Sequence, residues 1–148
     1  MARPLAPLFA VIVVFLAGFF SAAPASAETT AKPYFNGNYA LAGKRTDRVF
    51  SLEVQVNGRR AKISFSAAMV DASGAAPDGE GEGKIEDGVL SFKFKDTFDN
   101  EGTCKLRLLP GSAIYQLEMV VTKVVEPSPL HFYGTLQLKK TSDQPTAP

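Results

Sequence analysis

From Tyr34 onward, apolar and polar side chains alternate with a period of two in short runs punctuated by Gly, Pro, Asn and Asp, and no stretch shows the three-and-four spacing of an amphipathic helix. That pattern predicts half-buried β-strands throughout. The most regular unit spans residues 48–67 around Asn57-Gly58, the dipeptide suited to the positive-φ positions of a two-residue type I′ hairpin turn. The turn predicts Val54 opposite Ala61, Leu52 opposite Ile63 and Phe50 opposite Phe65 on one face of the ribbon, with Glu53 opposite Lys62 and Gln55 opposite Arg60 on the other. A second hairpin, around Asp87-Gly88, predicts Ile85 opposite Leu90, Glu82 opposite Lys93 and Glu80 opposite Lys95. It also sets Gly83 against Phe92 and Gly81 against Phe94, where an aromatic ring can cover a strand glycine at a bend of a barrel.

Further strands are expected over residues 103–109, with Cys104, Leu106 and Leu108 inward, and over 113–124, with Tyr115, Leu117, Met119 and Val121 inward, joined by a turn at Pro110-Gly111. The last, 130–139, places Leu130, Phe132, Leu136 and Leu138 on one face and His131, Tyr133, Thr135 and Gln137 on the other. With residues 34–41 in front, about eight antiparallel strands follow in a meander, and burying their apolar face requires the sheet to curl closed or fold in two. The expected fold is all-β, a small up-and-down β-barrel, with a β-sandwich as the alternative. Two longer connections, 69–79 and 124–129, are where recognition residues would sit on such a scaffold.

The amino terminus has a different pattern. Arg3, an apolar run over 8–20 and the small-residue stretch 21–27 have the order of a secretory signal, with the best cleavage site after Ala27, leaving Glu28 as the mature start. The apolar run falls short of the ~20 residues needed to cross hydrocarbon. The organisation expected is therefore a signal peptide at 1–27, a polar tether at 28–33, a barrel domain at 34–140 and a disordered tail at 141–148. The product would be periplasmic or secreted, without a membrane span after cleavage.

Charge and candidate chemistry narrow the function further. A net charge of +1, from 16 basic and 15 acidic residues, gives no field to gather nucleic acid. Lys44, Arg45 and Arg48, near Tyr34, Phe35 and Tyr39, read as a solvated strand end. His131 is the only histidine and Cys104 the only cysteine, so neither a two-histidine metal site nor an intramolecular disulfide can form. Cys104 shares the inward alternation and reads as a buried, inert thiol. Asp78, Glu80 and Glu82 echo the first half of a calcium loop, but Val89 stands where the twelfth-position glutamate is needed. No nucleophile elbow or phosphate-binding loop is present. We expect no enzyme, no metal and no cofactor.

The segments Gly83-Lys84-Ile85-Glu86-Asp87-Gly88-Val89-Leu90, Cys104-Lys105-Leu106-Arg107-Leu108 and Tyr133-Gly134-Thr135-Leu136 resemble the small β-barrel modules of bacterial periplasmic lysozyme inhibitors. Gly111-Ser112-Ala113-Ile114-Tyr115 is similar to the Ser-Gly-x-x-Tyr loop of inhibitors of c-type lysozyme with its first two residues exchanged, and Thr122-Lys123 to their Thr-Lys pair. The disulfide cysteines common in that family are absent. The resemblance implies Ser112, Tyr115 and Lys123 as partner-contacting residues, with the hydroxyl and the ammonium bonding the two catalytic carboxylates of a glycosidase. The leading expectation is an exported, non-enzymatic binding protein acting on a protein partner through barrel-end loops, with hydrolase inhibition as its concrete version. The alternative is a lipocalin-like carrier of a small apolar ligand. Interior volume separates the two, and Phe50, Phe65, Phe92, Phe94, Phe98 and Phe132 favour a filled interior.

Overall fold

The computed structural model describes residues 34–43 and 47–145. The signal segment, the tether, Lys44, Arg45 and the last residues of the tail, 146–148, lie outside the described residues. Eight antiparallel strands succeed one another around a closed barrel: β1 (Gly37–Leu41), β2 (Arg48–Asn57), β3 (Arg60–Met69), β4 (Asp78–Glu86), β5 (Val89–Asp96), β6 (Glu101–Leu108), β7 (Ile114–Lys123) and β8 (Gly134–Ser142). The ladder closes where β1 pairs with β8, so no strand among them keeps a free edge.

The period-two pattern is what fills this barrel. In β5, Leu90, Phe92 and Phe94 point in while Ser91, Lys93 and Lys95 point out, and β2, β3, β6 and β7 repeat the arrangement. The inward side chains form one continuous apolar cluster from Phe35 to Leu138. Burying each large member contributes about 1.5–3 kcal/mol. Outward positions are mostly charged or hydroxylated, the inverse of a barrel that faces lipid.

The hairpin at Asp87-Gly88 pairs as the sequence predicts, with Ile85 opposite Leu90, Glu82 opposite Lys93 and Glu80 opposite Lys95. Both turn residues take positive φ, as a type I′ turn requires. The first hairpin differs from expectation. Gly58 and Arg59 form its turn, Asn57 pairs with Arg60, and every partner moves by two: Val54 faces Ile63, Leu52 faces Phe65 and Phe50 faces Ala67. A shift of two keeps each side chain on its face, so the apolar face survives while the expected Glu53–Lys62 and Gln55–Arg60 pairs are lost. The gain is an added inward pair, Val56 with Ala61. Tertiary bonds fix it, since Asn36 Oδ1 accepts from the Val56 N–H at 2.9 Å and the Arg59 carbonyl accepts from the Ile85 N–H at 2.8 Å.

Three further expectations need correction. Residues 130–133 do not extend the last strand: Ser128–Phe132 is a 3-10 helix that lays Phe132 into the core, and Tyr133, expected on the outer face, packs against the core instead. β8 continues to Ser142, and Asn36 and Asn38 donate their side-chain amides to the carbonyls of Asp143 and Gln144, so ordered chain extends past the expected end at Lys140. Gly83 stands opposite Phe92 and Gly81 opposite Phe94 as expected, but the ring contacts fall partly on other glycines. A Cβ on Gly79 would strike the Phe65 ring and one on Gly102 the Phe94 ring, whereas at Gly81 it would strike the Lys93 carbonyl.

Successive strands run in opposite directions, so their connections alternate between the barrel ends. At the short-turn end lie 58–59, 87–88 and 109–113, together with 34–36 and 143–145. At the long-loop end lie the β1–β2 connection, 70–77, 97–100 and 124–133.

Candidate functional site

Ser112 stands in the β6–β7 turn at the short-turn end, where its Oγ accepts from the Ile114 N–H at 2.9 Å and shapes the turn. Tyr115 points into the barrel, as the alternation requires, and donates to the Tyr34 carbonyl at 3.1 Å. Burial raises its hydroxyl pKa. Lys123 closes β7 at the opposite end and ion-pairs with Glu101 at 2.8 Å. Ser112 and Lys123 are therefore separated by the length of a strand, about 30 Å at ~3.3 Å per residue. Catalytic carboxylates of glycosidases stand only about 5–10 Å apart. The structure does not bring the two residues to one cleft, and Tyr115 is spent on the core.

Each end of the barrel is closed by its own cluster. At the short-turn end, Tyr39 donates to the Phe35 carbonyl at 2.5 Å, and the Tyr39 and Phe35 rings meet the Tyr115 ring edge-on at 5.0 and 6.1 Å. Lys140 seals the outside, its Nζ donating to the carbonyls of Tyr34 and Asn36 at 2.5 and 3.0 Å and standing 4.6 Å from the centre of the Tyr34 ring. Burial drives the Tyr39 hydroxyl well above its ordinary pKa.

At the long-loop end a buried polar cluster caps a further set of rings, in which Phe65 and Phe94 meet Tyr133 at 6.2 and 5.4 Å. Asp96 Oδ1 accepts from the Phe98 and Asn100 N–H groups, each at 2.9 Å, and Oδ2 accepts from Asn100 Nδ2 at 3.0 Å and the Tyr133 hydroxyl at 2.5 Å. Asn100, fully buried, accepts from Val125 and Glu126 N–H and donates to the Glu126 carbonyl, tying the 124–126 loop to the β5–β6 turn. Every buried side-chain polar atom among the described residues has a partner. Burial, then the Asp96 carboxylate, pushes the Tyr133 hydroxyl upward. Sequence reading missed this cluster, although Asp and Asn four residues apart at a strand connection are a usable signal for a side-chain-capped turn.

The remaining chemistry-bearing residues are scattered. His131 is exposed on the 3-10 helix, with Nδ1 2.9 Å from the Ser128 carbonyl and its own carbonyl accepting from Arg48 Nη1 at 2.7 Å. Cys104 is buried among Phe92, Leu106 and Met119, and burial pushes its thiol up, away from the reactive thiolate. Asp78, Glu80 and Glu82 lie on the outward face of β4 rather than in a loop.

Concave surface is found on the outside of the barrel, over β3 and β4. The inward positions of β4 are Gly79, Gly81 and Gly83, which have no side chain to hold the strand away from the interior, and Gly81 sits hard against the Lys93 main chain. The outer face dips there into two grooves. The upper, about 860 Å³, reaches across β2 to β1 and is lined by Asn38, Ser51, Glu53, Ser64, Glu80 and Lys95 among others. The lower, about 580 Å³, is bounded by Gln55, Asn57, Arg60, Lys62, Glu82 and Lys84, over the backbone of Ala61 and Gly83. The chain matches no protein-family model and no curated protein.

Proposed function

We propose that this chain is an exported, non-catalytic binding protein that meets its partner with the outside of the barrel. The observation that carries this reading is the filled interior: one continuous apolar cluster runs from end to end, and each end is plugged by side chains. A carrier needs a chamber where these rings lie. The closed ladder offers no edge for strand addition, which leaves loops and the outer face as docking surfaces.

Hydrolase inhibition stays the concrete version suggested by the family resemblance, with one modification. Since Ser112 and Lys123 stand at opposite ends, an inhibitory contact would be made from one end alone. Of Ser112→Ala and Lys123→Ala, one should abolish inhibition of lysozyme and the other leave it intact.

Native mass spectrometry of protein purified from an exporting host tests the broader reading. The expected result is a single unliganded mass for a chain beginning at Glu28. A co-purifying apolar molecule that departs on denaturation would overturn it in favour of the carrier.

A further inference from the structure

The β3–β4 register sets Arg60 directly opposite Lys84, both pointing outward, with Lys62 two residues along opposite Glu82. Like charges facing each other across an antiparallel pair disfavour the pairing. Elsewhere Arg48, Lys95, Arg107, Lys123 and Lys140 each have a carboxylate oxygen within 2.7–3.3 Å, while Arg59, Lys93, Lys105 and Lys139 stand singly without an ion pair among the described residues. Arg60, Lys62 and Lys84 make no ion pair among the described residues, and all three line the lower groove. Glu82 is the only carboxylate there, and it is flanked on both sides by lysines, Lys62 and Lys93.

We propose that the groove between β3 and β4 binds a phosphorylated sugar, its phosphate ester held by Arg60, Lys84 and Lys62. Three cations around one hollow suit a compact dianion, and the Arg60 guanidinium can bond two of its oxygens at once. The volume, about 580 Å³, is within the usual range for a small-molecule site and exceeds the need of a bare phosphate. The rest of the lining is mixed: the amides of Gln55 and Asn57 and the Glu82 carboxylate suit hydroxyl groups, and Val56 and Ala61 offer apolar surface for the carbon face of a sugar ring. A lipid headgroup fits less well, because most exposed apolar side chains that could enter a bilayer are elsewhere. Val49, Val70, Val120, Val124 and Val125 lie toward the long-loop end, and Tyr34, exposed at the short-turn end, carries the Lys140 ammonium over its ring. The inference rests on the outer face being the working surface.

Calorimetric titration of the purified protein at low salt, with glucose phosphate, inorganic phosphate and glucose as separate probes, tests it. Glucose phosphate should bind more tightly than inorganic phosphate, and glucose alone should not bind. The double variant Arg60→Gln/Lys84→Gln should lose about tenfold or more of the affinity, as expected for removed charge-assisted bonds. Its denaturation midpoint should equal or exceed the parent's, because the like-charge opposition is gone; a loss of binding through misfolding would lower it. Lys105→Gln, outside the groove, should bind as the parent does. Absence of glucose phosphate binding, equal binding by the double variant, or binding only to vesicles of phosphatidylcholine with phosphatidic acid would overturn the assignment. None of these outcomes bears on the filled interior, whose own failure shows as a co-purified apolar molecule.

Discussion

The two ends of the barrel solve one problem with different materials. The short-turn end is closed by aromatic rings, with the segments on either side of the barrel, 34–36 and 140–145, drawn over them by Lys140 and two asparagine amides. The long-loop end also has rings, Phe65, Phe94 and Tyr133, but above them one buried carboxylate organises a turn, an asparagine and the tyrosine hydroxyl. Aromatic closure is tolerant, because dispersion contacts degrade gradually as side chains are trimmed. Polar closure is all or none, because each buried group left without a partner carries its whole desolvation cost. The long-loop end should therefore be the more brittle one.

The largest expected effect follows from that contrast. Asn100→Ala strips partners from Asp96 and from the Val125 and Glu126 N–H groups, and at about 1–3 kcal/mol per orphaned group it should cost about 3–5 kcal/mol, read as a shift in the denaturant midpoint. A cost under about 1 kcal/mol would mean that water replaces the network and that the ends do not differ as described.

Alkaline pH should strain both ends together. Burial raises Tyr39 at one end and Tyr133 at the other, and raises Cys104 between them, so the folded chain holds these protons more tightly than the unfolded chain does. The stability so conferred is fully present below the ordinary thiol and phenol range, about pH 8.5–10, and is lost progressively as pH rises from that range toward the higher folded-state values. A midpoint flat from neutral pH to about pH 8 and falling beyond pH 10 is expected, and Tyr133→Phe should make the fall shallower. A midpoint that stays level to pH 11 would contradict this account.

Smaller effects are expected at the aromatic end. Lys140→Met removes two carbonyl hydrogen bonds and a ring contact and should cost about 1–2 kcal/mol, with amide exchange rising along β1 and β8 before other strands. Tyr115→Phe retains the ring and loses one hydrogen bond, so its cost should be about 0.5–1.5 kcal/mol. If Tyr115→Phe proved costlier than Asn100→Ala, the ranking of the ends would be reversed.

What was legible in the sequence divides along a similar line. Alternation fixes which face each strand residue takes, so the barrel class and the inward set of β2, β3, β5, β6 and β7 follow from it. Asp87-Gly88 fixes its register because the local turn chemistry meets no competing demand. Asn57-Gly58 is an equally strong local signal, yet burial of Val56 and the bonds from Asn36 and Ile85 move the turn by one residue. Tyr133 was misplaced because the 3-10 helix ahead of it breaks the period from which its face was read. The lower groove was out of reach for a related reason. Opposing Arg60 to Lys84 requires the β3–β4 register, and a loop of residues 70–77, unlike a two-residue turn, does not dictate one.

The β1–β8 seam has a consequence for how the molecule can be assembled. Asn36 and Asp143 are joined by a 3.0 Å hydrogen bond although 107 positions separate them along the chain. Contacts of that sequence span are the slowest to form, so the seam should be the last part of the ladder to zip. It also means that the chain could be re-cut. Linking residue 145 to residue 34 and opening the backbone between Gly58 and Arg59 would give a circular permutant with the same ladder, in which the former seam is an ordinary hairpin and the β2–β3 pair is the one that must find its partner across the whole chain.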